Sequence, residues 1–134
     1  IPDMVAKIEE HKCIVSHHGR ILTHEGVPYY KGHKSFRCLG DVYKDEQIDV
    51  PGTGCMAFDT DYFNPTGLWK AKDLNMSDLV FAIEAKKANK KIMVLAHKTG
   101  YIKYTEIDLK ETIWHKEQGN PRQTELADEI LKLK

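Results

Sequence analysis

The 134-residue chain balances 20 Lys and Arg against 20 Asp and Glu, for a formal net charge of +0, with 41% hydrophobic and 30% charged residues. That balance fits one folded domain over residues 1–134 and argues against wholesale disorder. It gives no support to a nucleic-acid binder, which needs a basic excess, and no apolar run reaches the ~20 residues of a membrane span.

The first element is a short amphipathic helix. Pro2 and Asp3 open it, and Met4, Val5 and Ile8 recur at helical spacing. Cys13-Ile14-Val15-Ser16 reads as a strand running into the polar group His17-His18-Gly19-Arg20. Adjacent histidines on a strand point to opposite sides, so at most one of the pair faces a given cleft. Arg20 suits a bidentate phosphate contact or a surface salt bridge. Residues 21–47 show no clear period. Gly26, Pro28, Gly32 and Gly40 divide them, and Tyr29, Tyr30 and Phe36 are the expected anchors of a long excursion with short strands.

Gln47-Ile48-Asp49-Val50 alternates as an edge or half-buried strand. Pro51-Gly52-Thr53-Gly54 is a sharp turn, followed by a strand over Cys55-Met56-Ala57-Phe58. Gly-x-Gly here lacks the Lys-Ser/Thr of a phosphate loop and reads as a turn or a close backbone approach. Asp59-Thr60-Asp61 places two carboxylates together, a pattern suited to a divalent cation and equally to a turn cap. Asn64-Pro65-Thr66-Gly67 is a further turn.

The clearest helix covers about 77–89. Ser77 is its expected N-cap, Leu79, Val80, Ala82, Ile83 and Ala85 form its apolar stripe, and Asn89 ends it among lysines. Asp78 lies at the positive end of this helix. That position favours an ionised carboxylate, available as a base or simply complementing the dipole. Ile92 to Ala96 is a buried strand, and His97 follows it, where α/β sheets place ligand-binding groups. His97 is a metal-ligand, phosphate-contact or structural histidine. Strand, helix, strand in this order predicts an α/β layer with a crossover. Beyond Tyr104 the chain turns polar; Asn120-Pro121 marks a break, and Thr124 to Leu133 reads as a terminal helix. The tail 105–134 is expected to be helical and peripheral. Cys13, Cys38 and Cys55 are odd in number and unpaired in spacing, as in reduced cytoplasmic proteins.

Four strings carry the reading further. They are Cys13 to Arg20, Asp49 to Phe58, Met76 to Ile83, and Val94-Leu95-Ala96-His97-Lys98-Thr99-Gly100-Tyr101. In this order they resemble the C-terminal, acceptor-side half of bacterial family 2-type glycosyltransferases of the GT-A fold, and the tail Gln123 to Leu126 resembles the end of such proteins. The resemblance implies a partial GT-A-like mixed sheet flanked by helices, in a cytoplasmic enzyme. The complete enzyme would move a sugar from a nucleotide-sugar to a hydroxyl of a glycan or lipid-linked acceptor, with a divalent cation, Mn or Mg. It assigns Asp78 as the base and Gly52, Thr53, Gly54, Met56, Ser77 and Arg20 to substrate binding, with His97 near the metal. The N-terminal nucleotide-binding half of such enzymes is missing. Asp59-Thr60-Asp61 stands in the wrong place to replace its acidic motif, so the chain alone is expected to be inactive and to bind no cofactor firmly. A half-sheet also predicts self-association through an open edge. The alternatives are a non-catalytic binding or assembly module, or a small metal-dependent hydrolase built on Asp59 and Asp61.

Overall fold

The computed structural model describes residues 1–73, 75–105 and 111–134. It is an α/β fold with two small sheets. β1 (Ile14–Ser16) is central in a four-stranded sheet of order β4-β7-β1-β6, built with β4 (Glu46–Ile48), β6 (Met56–Ala57) and β7 (Ile92–Val94). β1 and β7 run parallel, with Val15 opposite Met93, while β6 and β4 close the two sides antiparallel. The parallel pair is a crossover, but it joins β7 to β1; β6, the strand that precedes the long helix, runs antiparallel to both. The second sheet, of order β3-β2-β5, joins β2 (Gly19–Ile21), β3 (Lys34–Phe36) and β5 (Val50–Pro51).

The expected strand around residues 47–50 is therefore two strands in two sheets. Asp49 divides them: it is 5% exposed, and its carboxylate accepts from the Leu22 N–H at 2.7 Å. Lys86 and Lys134 approach the same carboxylate at 3.4 and 2.8 Å. A buried carboxylate needs such partners, and meeting that need bends the chain out of the first sheet. Tyr29 and Phe36 anchor the long excursion as expected, both buried.

α1 (Pro2–His11) begins with its proline in the first turn and ends at Lys12 in a left-handed conformation. α2 (Ser77–Lys87) starts one residue earlier than an N-cap at Ser77 would give. Met76 is the N-cap and no side chain caps the helix, so Ser77 is the first helical residue and its hydroxyl turns elsewhere. Asn89 ends it with φ 54°, and the Lys90 N–H closes the terminus on the Ala85 carbonyl at 2.8 Å. Instead of a single stripe, α2 is buried on two faces. Leu79, Ala82 and Ile83 join one apolar cluster, Phe81 and Ala85 another with Ile14, Ile92 and Val94 of the sheet.

The short helix α3 (Ile113–Glu117) is capped by Thr112. α4 (Pro121–Lys132) begins where a break was expected. The Asn120 side chain accepts from the Arg122 N–H at 3.0 Å, and Pro121 fills the first helical position, so the dipeptide is a helix start. Of the tail 105–134, residues 106–110 lie outside the described residues. The rest is not merely peripheral: Leu126, Ala127 and Ile130 are buried in the cluster shared with α2. Among the described residues no helix is long and apolar enough to cross a membrane.

Candidate functional site

Two turns are knitted together where β1 leaves the sheet. The Gly52 N–H donates to the His18 carbonyl at 2.8 Å and the His17 N–H to the Cys55 carbonyl at 3.1 Å. The buried Ser16 hydroxyl sits between the His18 and Gly52 carbonyls, at 2.8 and 3.2 Å. A Cβ on Gly52 would lie 2.8 Å from the His18 Cβ, so the approach is reserved for glycine. This places the turn Thr53–Cys55 directly against the start of α2.

There Asp78 is held. The Thr53 N–H and hydroxyl both donate to its Oδ1, at 2.9 and 2.5 Å, and the Ser77 hydroxyl lies 3.2 Å from that of Thr53. The half-buried carboxylate thus has one oxygen fixed by two donors, and no side chain among the described residues bonds Oδ2. It opens on a cleft of about 1030 Å³ that is also lined by Arg20, Gly52, Thr53, Gly54 and Ser77. Six of the eight sequence candidates share one cavity. Met56 does not join them. It lies in β6 and packs on the apolar cluster of Ile14 and Phe81, because strand alternation turns it away from the cleft.

His97 also lies elsewhere. It bridges to Val42 beyond β7, and its ring packs 5.2 Å from that of His17. Nδ1 is 2.9 Å from the Leu95 carbonyl and Nε2 is 3.3 Å from the Arg37 carbonyl. With both nitrogens against carbonyl oxygens, the ring presents no open lone pair, and the arrangement does not fit a metal ligand. Asp59 is engaged locally: its Oδ1 accepts from the Asp61 N–H at 2.8 Å, a turn cap. Among the described residues no group of three His, Cys, Asp or Glu side chains is placed to hold a metal ion.

The two histidines lie in the bend between β1 and β2, not on a strand, and they point apart. His17 packs on His97 and Tyr101, while His18 lines the cleft. The Cys38 N–H donates to His18 Nδ1 at 3.2 Å, which places the ring proton of the neutral form on Nε2. Burial, reinforced by the charge of Arg20, lowers the pKa of His18. The neutral form is thereby favoured.

Arg20 does not form a salt bridge among the described residues. Its guanidinium lies 4.4 Å from the centre of the Tyr29 ring and 5.0 Å from that of Tyr30, and Nε donates to Ser35 Oγ at 3.2 Å. Burial pushes the Tyr29 phenol up to about 12, so it stays neutral. Gln123, from α4, is 3% exposed and donates to the Tyr30 hydroxyl at 3.1 Å. Tyr29, Tyr30, Lys31, Arg37 and Gln123 all line the cleft and were not singled out as site residues in the sequence. The available signal was the interleaving of basic and aromatic residues from Arg20 through Tyr29-Tyr30-Lys31 to Arg37. The lysines near the end of α2 serve structure instead: Lys86 pairs with Asp49, Lys87 with Glu84, and Lys90 lies 4.6 Å from the Tyr62 ring centre.

Chemically, the site offers a fixed carboxylate with one open oxygen, a neutral imidazole and a preorganised guanidinium around one cavity. No family profile matches the chain, and no curated protein matches it.

Proposed function

We propose that the chain is the acceptor-side part of a glycosyltransferase catalytic domain of the GT-A type, working in the cytoplasm. The observation that carries the reading is the Asp78 carboxylate, fixed through Oδ1 by Thr53 and facing the same cleft as Arg20, Gly52, Gly54 and Ser77. Its place in the first turn of α2 sets the carboxylate at the positive end of that helix.

In the proposed step the acceptor hydroxyl attacks the anomeric carbon of a nucleotide-sugar. Its proton passes to Asp78 Oδ2, and the bond from the anomeric carbon to the diphosphate breaks. The nucleoside diphosphate leaves with the electron pair, and a single displacement inverts the configuration. The nucleotide-sugar and a divalent cation, Mn or Mg, belong to the complete enzyme in this reading.

The test is release of nucleoside diphosphate from a panel of nucleotide-sugars by the complete enzyme. Asp78→Asn is expected to lower turnover about a hundredfold or more, with donor binding nearly unchanged. Unchanged turnover would remove Asp78 from the mechanism. A purely binding or assembly module would fill the cleft and release no nucleoside diphosphate in any variant.

A further inference from the structure

The loop 22–33 joins β2 to β3 and carries Tyr29, Tyr30 and Lys31 to the wall of the cleft. The same three residues line a second cavity of about 520 Å³, bordered from the other side by Gln118, Asn120 and Thr124. Whatever fastens this loop therefore shapes both spaces. Its two ends are tied beyond the last ladder pair, where Ile21 faces Lys34. The Thr23 hydroxyl donates to the Gly32 carbonyl at 3.1 Å, and the Thr23 N–H donates to His33 Nδ1, also at 3.1 Å.

Accepting from an N–H requires a bare lone pair on Nδ1, so the His33 ring is neutral with its proton on Nε2. That Nε2 is buried and meets no hydrogen-bond partner among the described residues. A second proton on the ring would turn Nδ1 from acceptor into donor. The Thr23 hydroxyl, 3.3 Å away, then becomes an acceptor within reach, but the Thr23 N–H is left facing a donor. The groups around the ring oppose the charge as well. Burial lowers the pKa of His33 most, followed by Arg20 of β2 and His24 of the loop, while the Val27 backbone and Asp128 of α4 offset only part. Asp128 already accepts from the Gly26 N–H at 3.0 Å, and the uncharged Tyr29 ring lies 6.5 Å from that of His33.

We propose that His33 is a pH-sensitive clasp: neutral, it fastens the loop that bears Tyr29, Tyr30 and Lys31, and protonation unfastens that shared wall of the two cavities. The clasp is a property of the loop and holds whatever ligand the cleft takes, so it goes beyond the transfer reading. Its direction follows from the lowered pKa. The folded value lies below the unfolded 6.5, so the stabilisation is complete above that pH and is lost as pH falls through the folded value.

Amide hydrogen exchange on this chain, corrected for the intrinsic pH dependence, tests the clasp without a ligand. The Lys31 and Gly32 N–H groups, which donate to the Pro28 carbonyl, report the loop together with those of Thr23 and Gly26. Their protection is expected to fall at least about threefold between about pH 7.5 and 5.5, while amides of β7 keep theirs. His33→Asn retains a side-chain carbonyl acceptor and cannot titrate, so its loop should be protected equally at both pH values. His24→Gln should respond as the parent does. A long-range proton–nitrogen spectrum at neutral pH should show the His33 proton on Nε2, and the loop amides should shift with the same midpoint as the His33 ring. Protection that ignores pH in the parent chain, a pH response kept by His33→Asn, or a proton on Nδ1 would each overturn the proposal. Should His33→Asn fail to hold the loop at either pH, the midpoints decide: loop amides titrating apart from the His33 ring would overturn it, and coincident midpoints would support it.

Discussion

Thr53 donates twice to one atom: its N–H and its hydroxyl both reach Asp78 Oδ1. The carboxylate therefore cannot rotate freely, and Asp78 is held at the wall of the cleft. The turn that makes this possible is held by Gly52, and Gly52 is held by its packing on His18. The geometry around Asp78 is a property of three segments distant in sequence.

Thr53→Val keeps the N–H donor and the approximate volume while removing the hydroxyl. Stability is expected to fall by on the order of 1 kcal/mol, read from the urea midpoint. Under the proposed glycosyl transfer, kcat of the complete enzyme should fall about tenfold through loss of orientation, with KM for the donor little changed. A full kcat would show that the backbone donor suffices.

Gly52→Ala puts a Cβ 2.8 Å from the His18 Cβ, an atom tied to the backbone and unable to swing aside. The expected cost is about 1–3 kcal/mol. Denaturant titration should show a lower midpoint with an unchanged slope. A neutral result would mean that the two turns separate without penalty.

Asp45 links α1 to the end of β7, accepting from the Ala96 N–H at 2.8 Å and pairing with Lys7 and His11 at 2.8 Å each. Burial alone would raise its pKa, but the Ala96 N–H, Lys7 and His11 outweigh burial and lower it from 3.8 to about 2. With the folded value below the unfolded one, the stabilisation is complete above about pH 4 and disappears as pH falls towards 2. Its size is on the order of 2 kcal/mol. Asp45→Asn should lower stability at pH 7 and flatten the acid limb between pH 4 and 2. An acid limb identical to that of the parent chain would contradict the assignment.

Ile130 is 0% exposed in the interface between α4 and α2. Ile130→Ala should cost about 2–5 kcal/mol in thermal or chemical unfolding. A change below about 0.5 kcal/mol would mean that the terminal helix is dispensable to the core.

The sedimentation behaviour of the chain bears on the expected self-association. The edge strands β4 and β6 are three and two residues long, and short edges limit pairing with a second sheet. Ile1, Val5 and Tyr43 are exposed apolar residues outside the cleft.

The sequence by itself determined the elements whose signals are local. Proline near the start of α1, the left-handed Asn89 after α2 and the apolar run of β7 each act within a few residues, so they are legible without a fold. The turn at Gly52–Gly54 and the acidic opening of α2 were legible for the same reason. Tertiary structure decided the rest. Asp49 bends the strand because its buried charge must meet Leu22, Lys86 and Lys134, which only the fold brings near. Asn120-Pro121 has the same composition as a break, and became a helix start once Leu126 and Ile130 had α2 to bury against. Met56 left the site through strand alternation, and His97 through two carbonyls contributed by Leu95 and Arg37. Asp78 stands between these cases. Sequence placed it at a helix mouth; only the return of the Gly52 turn, 25 residues away at Thr53, gave it a fixed oxygen and a cleft to face.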